Sequence, residues 1–477
     1  MTLRFSNSYS ALGGAFYQRV LPTPVADPKV LLWNRSLADS LKLSAKLQSD
    51  SALQAQIFSG NQLPAGTESL ALTYSGHQFG HLNPQLGDGR AHLLGELLDK
   101  DNCRVDVQLK GSGPTPYSRQ GDGRCALGPA LREYIMSEAM YFLGVPTSRC
   151  LAVVATGESV YRDAVKPGAI VTRIAASHIR VGTFQYFAIR DDVKSLAALL
   201  DFSIERHFAG IDLNADDKAL QFLDAVMQRQ ITLIVEWMRV GFIHGVMNTD
   251  NTAISGETID FGPCAMLGAY HPATVYSSID TQGRYAFGNQ ANIAIWNLIR
   301  LAECLLPLIN NEKKLAIAVI EPLLKDYSER FEQAYFAMMA AKLGISDVTD
   351  EIRSLIERLL KSMQTDALDY TQTFLDLGQT MAGANPLSEN YNEWIAQWRS
   401  HLNDNSAALM QANNPIVIPR NHYVEAVLTA CETTGSTEAI NDFLEVLRSP
   451  YQELPNSHHY QDPAEDFDSS YQTFCGT

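Results

Sequence analysis

A short stretch near the middle of the chain holds the residues best suited to metal and acid–base chemistry. Asn251 and Asp260 offer oxygen ligands of the kind that a hard divalent cation uses while it bridges phosphate oxygens. Asp250 adjoins Asn251 and is the nearest carboxylate able to accept a proton from an attacking hydroxyl. A place just outside the ligands of the metal is the alternative for Asp250. The stretch predicts a metal-dependent reaction on a phosphate-bearing substrate.

The spacing in this stretch follows the catalytic loop of protein kinases, with one residue changed. Kinases carry H-R-D-x-x-x-x-N and, further on, Asp-Phe-Gly. His244 and Asn251 keep this spacing, and an Asp-Phe-Gly triplet begins at Asp260. Val246, however, stands where a kinase has its catalytic Asp. A simple turn at the triplet and a cap at Asn251 are disfavoured by the joint spacing. The pattern indicates an ATP- and metal-dependent enzyme that does not transfer the γ-phosphoryl group in the ordinary way.

The first half of the chain holds elements suited to binding a nucleotide. Residues 87–90 read Gly-Asp-Gly-Arg before a strand, and glycine lets backbone N–H groups approach an anion. A complete G-x-G-x-x-G loop would need glycine where His92 stands, so a β-turn is the alternative. Lys110 then ends a strand and Glu133 lies on the next predicted helix, as in the kinase pair that orients the lysine toward phosphate. The whole series, rather than any one residue, favours a nucleotide site.

Two features have no counterpart in the kinase pattern. Residues 111–124 form a second loop rich in Gly and Pro, and it is longer than a strand-to-helix connection needs. Arg173 and Arg180 lie beside a predicted strand in a chain that is otherwise acidic. With Arg90 and Lys110 they would form a local cationic pocket for phosphate oxygens. Exposed or carboxylate-paired arginines are the alternative if either one is taken alone.

The composition limits the classes of partner. The formal net charge of −16 argues against broad binding to nucleic acid or an anionic membrane, so any phosphate ligand needs a local basic cluster. The longest apolar stretch is interrupted by Arg300 and Glu303, so we expect no membrane span. The first residues resemble neither a secretory leader nor a mitochondrial presequence, which makes the cytoplasm the expected location. Seven cysteines without a C-x-x-C pair argue against structural zinc and against a disulfide framework.

Hydrophobic periodicity predicts strands in the first half of the chain and helices in the second. The predicted strands cover residues 93–98, 104–110 and 169–174, and a turn at 99–102 joins the first two into a hairpin. The predicted helices cover residues 128–143, 217–240, 291–309, 311–342, 348–376 and 388–411.

These elements predict an α+β fold of the bilobal, protein-kinase-like type. A β-rich N-terminal lobe with the nucleotide-binding loops would cover residues 1–190, and a helical C-terminal lobe with the metal and catalytic loop would cover 191–450. Residues 451–477 contain no Lys or Arg and predict an extended C-terminal tail.

Long, irregular strings in this chain resemble those of the selenoprotein O family, and they are far more specific than the kinase pattern. The resemblance spans nearly the whole chain and rests on Asn7-Ser-Tyr, Pro22-Thr-Pro-Val, Tyr74-Ser-Gly-His-Gln-Phe-Gly, Gly87-Asp-Gly-Arg-Ala, Gln108-Leu-Lys-Gly-Ser-Gly-Pro-Thr-Pro-Tyr-Ser-Arg, His244-Gly-Val-Met-Asn-Thr-Asp-Asn and Pro419-Arg-Asn-His. The family implies a pseudokinase fold that binds ATP inverted relative to a kinase. It also implies transfer of AMP to Ser, Thr or Tyr hydroxyls of proteins.

The resemblance also implies roles for individual residues. Asp250 would be the base, and Asn251 and Asp260 would hold Mg²⁺ or Mn²⁺. Members of the family carry a selenocysteine or cysteine near the C-terminus, a place that Cys475 occupies here. The family implies a reversible disulfide from this tail to the catalytic lobe, and Cys264 is one candidate partner by sequence alone. The nucleotide contacts would be Gly87, Gly89, Arg90, Lys110, Asp122, Gly123, Arg173, Arg180 and Asp260.

Two alternatives to AMP transfer stay open at this point. A non-catalytic pseudokinase would bind ATP only to present a surface, and a transferase using UTP would attach UMP instead. The expected partners are protein substrates, with no nucleic acid and no membrane.

Overall fold

The computed structural model describes residues 3–384 and 386–474. The predicted α+β architecture is confirmed, because strands dominate the first part of the chain and helices the second. The boundaries of the two lobes and the tail stay predictions. The strands are β1 (Tyr17–Arg19), β2 (Lys29–Trp33), β3 (Leu70–Leu72), β4 (Gly76–Gln78), β5 (His81–Asn83), β6 (Ala91–Leu98), β7 (Arg104–Lys110), β8 (Cys125–Ala126), β9 (Arg149–Tyr161), β10 (Val165–Ala175), β11 (Phe242–Ile243) and β12 (Ala265–Met266).

One antiparallel sheet places the basic residues of the first half on neighbouring strands. Its order is β1-β3-β6-β7-β10-β9-β2, and β8 pairs with β10. Arg173 on β10 pairs in register with Gln108 on β7, two residues before Lys110. Because side chains alternate along a strand, these three side chains share one face of the sheet. The predicted β6–β7 hairpin is confirmed, and its register brings Lys110 opposite Ala91 at the end of the 87–90 loop.

Sixteen helices are present in the described part of the chain. They are α1 (Arg35–Ser40), α2 (Ala45–Ser49), α3 (Ser51–Phe58), α4 (Leu127–Phe142), α5 (Val181–Ala188), α6 (Val193–His207), α7 (Lys218–Val240), α8 (Gln290–Ile309), α9 (Lys313–Lys342), α10 (Asp350–Thr365), α11 (Tyr370–Met381), α12 (Asn392–Arg399), α13 (Ser406–Asn413), α14 (Asn421–Thr434), α15 (Glu438–Leu447) and α16 (Glu465–Ser470). α4 carries Glu133 and packs on β9 and β10, so its buried acid faces the basic side of the sheet.

A two-stranded clasp closes the loop that contains the metal and base candidates. α7 ends at Gly241, which adopts a left-handed φ of 78° that glycine allows without strain. β11 follows at once and pairs with β12, so the two ends of the loop at residues 244–264 lie side by side. Asn421 on α14 adds to the clasp, because its side chain both accepts from the N–H and donates to the carbonyl of Met266, each at 2.8 Å.

Three predictions about the helical part were wrong in detail. Residues 348–376 form two helices instead of one, because Asp369 caps the start of α11 by accepting from the N–H of Gln372. Residues 388–411 likewise divide into a short 3₁₀ turn, α12 and α13. The tail is not simply extended, since it contains a 3₁₀ turn at Ser457–Tyr460 and the helix α16.

One helix in the described ranges, over Phe287–Ile309, is long and apolar enough to cross a membrane when judged by length and composition alone. Its most apolar 18-residue window has a mean hydropathy of 1.4, and 44% of that window is buried inside the protein. A buried core helix passes the same test, and α8 packs against α7 and α9 with Leu298, Leu301 and Leu305 fully buried. This is weak evidence for a membrane span, and the expected absence of one stays a prediction.

The loop before Asp260 is tied to the segment after β10 by a carboxylate. Glu257 accepts from the N–H of Ala176, at 3.2 Å to Oε1 and 2.9 Å to Oε2, and Oε2 also accepts from Ser255 Oγ at 3.0 Å. Burial raises the pKa of Glu257 to about 7, although these hydrogen bonds oppose the change. Between pH 4.5 and about pH 7 the native state therefore holds a proton on Glu257 that the unfolded chain has released.

Replacing Glu257 by Gln is expected to weaken the pH dependence of stability. A carboxyl whose pKa rises on folding destabilises the native state as pH increases from the ordinary value of 4.5 to about 7. Between about pH 5 and pH 8 the wild type should lose on the order of 2 kcal/mol more than Glu257→Gln. Urea unfolding of both proteins at the two pH values measures the difference. Parallel pH profiles for the two proteins would contradict it.

Candidate active site

Asp260 lies at the centre of a buried cluster of charges. Its Oδ1 accepts from Lys110 Nζ and from Arg173 Nη2, each at 2.7 Å, and its Oδ2 lies 3.3 Å from Arg180 Nη1. Burial by itself raises the pKa of Asp260, but the charges of Arg173, Lys110 and Arg180 outweigh it and hold the pKa well below the usual range. Asp260 has a left-handed φ of 63°, which is uncommon for a residue with a Cβ. The cluster therefore favours the charged form of this carboxylate.

The predicted pair of a strand lysine and a helix glutamate is present. Lys110 Nζ lies 2.8 Å from Glu133 Oε2, and Arg173 Nε donates to Glu133 Oε1 at 2.8 Å. Burial raises the pKa of Glu133, but Arg173 and Lys110 lower it further than burial raises it. Arg173 is only 1% exposed, so its guanidinium is enclosed between two carboxylates. Carboxylates therefore pair with Arg173 in this structure. Contact of Arg173 with a phosphate stays a prediction.

Arg180 connects the metal candidate to the base candidate. Its Nη1 donates to the carbonyl oxygen of Asp250 at 2.7 Å, and the same nitrogen lies 3.3 Å from Asp260 Oδ2. The guanidinium also stacks on the ring of Tyr74, 4.6 Å from its centroid, which holds it in place. One rigid fork therefore sets the separation of two acidic residues that are apart in sequence.

Asp250 sits in an enclosed position that suits a proton acceptor. It is 8% exposed, and burial raises its pKa to about 6 despite the opposing charge of Arg180. Its Oδ2 accepts from Gln78 Nε2 at 3.1 Å, while its Oδ1 has no hydrogen-bond partner among the described residues. A carboxylate with a free oxygen and a pKa near the working pH can take a proton from a hydroxyl.

The loop between α7 and Asp260 orients Asn251. Asn251 Nδ2 donates to the carbonyl oxygen of Val246 at 2.9 Å, which turns the amide so that Oδ1 is left for another partner. Val246, at the position of the kinase base, is buried and apolar. His244 donates through Nε2 to the carbonyl oxygen of Ile259 at 2.9 Å and so holds the loop against the segment before Asp260.

The site fits a divalent cation that is shared with a nucleotide. Asn251 presents a free amide oxygen and Asp260 a charged carboxylate, which is the sparse, all-oxygen set that Mg²⁺ uses when phosphates and water supply the other ligands. Residues 3–384 and 386–474 contain no group of three or more His, Cys, Asp or Glu side chains that could enclose a metal ion by themselves. Metal binding by Asn251 and Asp260 stays a prediction.

The two glycine-containing loops pack against each other. Gly87 has a left-handed φ of 75°, and a Cβ there would lie 2.3 Å from the ring of Tyr117 in the second loop. A Cβ on Gly89 would lie 2.9 Å from the carbonyl oxygen of the same tyrosine. Gly123 has a φ of 66°, and its Cβ would lie 2.1 Å from the carbonyl carbon of Gly113. The glycines are therefore required by this close packing, whatever they contact in a nucleotide.

Two further candidates lie on these loops but outside the Asp260 cluster. Arg90 has a buried Nη1 that lacks a hydrogen-bond partner among the described residues. Asp122 pairs with Arg162 at 2.9 Å and accepts from the N–H of Arg124 at 2.9 Å. Arg162 lowers the pKa of Asp122. Contacts of Arg90 and Asp122 with a nucleotide stay predictions.

The model of the family described as "Protein adenylyltransferase SelO" matches residues 1–448. The chain belongs to the SelO family. The resemblance to the selenoprotein O family is thereby confirmed, and membership identifies this SelO protein as a nucleotidyltransferase.

Relatives of this SelO protein match over full length. It is 49% identical to "Protein nucleotidyltransferase YdiU" of Teredinibacter turnerae, with 100% of each chain covered. It is 52% identical to the protein of the same name from Pseudoalteromonas translucida, with 96% of each covered. Among solved structures, "ROP2 from Toxoplasma gondii: A virulence factor with a protein-kinase fold and no enzymatic activity" matches at 10% identity and a TM-score of 0.24, over 69% of this chain and 85% of that one. A TM-score of 0.24 indicates little overall structural similarity between the two chains.

Two residues beside the Asp250 and Arg180 side chains were not predicted from the sequence of this SelO protein: Asp88 and Gln78. Asp88 is buried, accepts from Gln108 Nε2 at 3.1 Å, and lies 3.8 Å from Arg180 Nη2. Burial raises its pKa. Gln78 contacts Asp250 directly. Both residues lie within strings that carry the family resemblance, which was the signal available for finding them.

The predicted disulfide of the SelO tail lies partly outside the described residues, because Cys475 is not among them. Cys264 is buried, and burial raises the pKa of its thiol to about 12. Close by, Thr473 Oγ1 donates to the carbonyl of Pro263 at 2.7 Å, so the described end of the tail reaches the residue before Cys264. The pairing stays a prediction.

Proposed function

We propose that the protein transfers AMP from ATP to serine, threonine or tyrosine hydroxyls of proteins, with Mg²⁺ or Mn²⁺. One observation carries the proposal. The carboxylate that a kinase has at position 246 is replaced by buried Val246, while Asp250 is held beside Asp260 by the single guanidinium of Arg180. A base moved relative to the metal ligand is suited to a different phosphorus atom of the nucleotide from the one that a kinase attacks.

The proposed step forms one bond and breaks one bond. The hydroxyl oxygen of the acceptor attacks the α-phosphorus, the bond from that phosphorus to the bridging oxygen breaks, and pyrophosphate leaves. Asp250 accepts the hydroxyl proton. A divalent cation, when bound, supplies charge neutralisation at the phosphate oxygens. Lys110 and Arg180 line the same site and add positive charge where negative charge develops.

An inverted nucleotide would account for the second loop. If the α-phosphate faces Asp250 and Asp260, the β- and γ-phosphates extend toward the packed loops at residues 87–90 and 111–124. Arg90 supports this orientation, because its Nη1 lacks a described partner and a phosphate oxygen would supply one. Lys110, Arg173 and Arg180 all contact Asp260, and together with Arg90 they add positive charge near the phosphates.

Labelled nucleotides test the proposal directly. The protein is incubated with a general protein acceptor and with ATP labelled at either the α- or the γ-phosphorus, across a titration of Mg²⁺ and Mn²⁺ with EDTA as the blank. We expect protein-bound label from α-labelled ATP only, and mass spectrometry should place an AMP adduct on a hydroxyl side chain. Label from γ-ATP would indicate a kinase, and label from neither nucleotide would indicate a non-catalytic pseudokinase. A parallel reaction with α-labelled UTP separates AMP transfer from UMP transfer.

A further inference from the structure

The hairpin formed by β4 and β5 lies directly on the loop that carries Asp250. The backbone N–H of His77 donates to Thr249 Oγ1 at 2.7 Å, and that of Phe79 donates to Asn248 Oδ1 at 3.1 Å. Gln78, between them, donates from its side chain to Asp250 Oδ2 at 3.1 Å. Three consecutive residues of the hairpin therefore contact the three loop residues at 248–250.

Buried side chains behind the hairpin fix its position. Gln185 on α5 accepts from Thr249 Oγ1 at 2.6 Å and contacts His77 Nδ1 at 2.7 Å, so it joins the two sides of the contact. Tyr285 donates its hydroxyl to Asn248 Oδ1 at 2.6 Å, on the oxygen that also receives the N–H from the hairpin. These hydrogen bonds hold the backbone on either side of Gln78, which leaves its side chain little freedom.

The fit around the Asp250 carboxylate is tight. A Cβ on Gly76 would lie 2.5 Å from Asp250 Oδ1, so any larger residue there would displace the carboxylate. Gln78 makes the only side-chain hydrogen bond to this carboxylate among the described contacts. One oxygen is thus held by an amide, and the other lies against a backbone that has no side chain.

The geometry points to Gln78 as a positioning residue of the reaction: its amide orients the Asp250 carboxylate toward the acceptor hydroxyl. This inference rests on the proposed role of Asp250 as the base. Gln78 does not contact substrate in the reaction and acts through Asp250. A base that is free to rotate spends less time in a reactive geometry, and a displacement of about 1 Å can lower a rate by about 100-fold.

Gln78→Met tests the inference, because methionine keeps the length of the side chain and removes the donor. We expect kcat for AMP transfer to fall by about 10- to 100-fold while the KM for ATP changes by less than about twofold. The thermal midpoint should stay within about 2 °C of wild type, since Gln78 is only partly buried. Gln85→Met is the matched control: it is the same change at an exposed residue just after the hairpin, and it should leave both constants unaltered.

A second variant and the base variant separate the outcomes. Gln78→Glu keeps the shape but places a second carboxyl group against Asp250, which repels the base or shares its proton, so it should lower kcat at least as much as Gln78→Met. If either Gln78 variant keeps wild-type kcat while Asp250→Asn is inactive, the inference is overturned and the proposed base stands. If the KM for ATP or the thermal midpoint changes along with kcat in both variants, the role of Gln78 is structural and the inference is also overturned. A wild-type protein that transfers no α-label overturns the proposed function itself.

Discussion

Replacing Asp260 by Asn should lower nucleotide transfer by about three orders of magnitude or more. An amide is a poorer ligand for a divalent cation than a carboxylate. It also leaves Lys110, Arg173 and Arg180 around a neutral group. The added net positive charge should let metal-free ATP bind at least as tightly as it binds to the wild type. Label transfer measures the first effect, and titration with ATP in EDTA measures the second.

Glu138→Gln is a suitable control for Asp260→Asn. Glu138 lies on the same helix as Glu133, is fully buried, and pairs with Arg149 on β9 at 2.8 Å. It lies outside the Asp260 cluster. The control removes a buried carboxylate from an arginine, and folded protein should keep its transfer activity. Asp260→Asn with more than about one tenth of wild-type turnover would contradict the role of Asp260 as a metal ligand.

Asp250→Asn should lower kcat by about 10²- to 10⁴-fold, the range expected for removal of a general base. Binding of ATP should be nearly unchanged, because Arg180 contacts the backbone carbonyl of Asp250 and not its carboxylate. The variant should therefore lose turnover without losing affinity for ATP. Single-turnover transfer rates and a direct ATP titration measure them independently.

The comparison for this variant is Asp216→Asn, the same change at an exposed position, which should transfer AMP at the wild-type rate. Near-normal turnover of Asp250→Asn would show that the proton goes elsewhere and that Asp250 belongs to the surroundings of the metal. Loss of ATP binding together with turnover would place Asp250 in nucleotide recognition instead.

Local patterns in the sequence carried most of the information about the sheet and about the first part of the site. The alternation in residues 104–110 predicted β7 with its bounds, and the β6–β7 hairpin followed from the turn between them. The pairing of Lys110 with Glu133 was predictable because a lysine at the end of a strand, followed by a glutamate on the next helix, matches the kinase arrangement. The long shared strings then assigned the family, which no periodicity could have done.

Long-range contacts were beyond the reach of these patterns. Nothing local indicates that Arg173 is enclosed by Glu133 and Asp260, since that depends on how two strands and a helix meet. The contact of Gln78 with Asp250 joins residues that are far apart in the chain. The break between α10 and α11 was missed for a different reason: periodicity continues through it, and the cap by Asp369 outweighs the periodicity.

The clasp formed by β11 and β12 at the base of the catalytic loop is stabilised by residues from the C-terminal part of the chain. Asn421 bonds both backbone groups of Met266, as a neighbouring strand would, and its Nδ2 also donates to Asp468 Oδ1 at 2.9 Å. A chain that stopped before α14 would retain every proposed catalytic residue and still leave one edge of the clasp without its partner. The unit capable of nucleotide transfer is therefore larger than the set of residues that touch the nucleotide, and it reaches almost to the C-terminus.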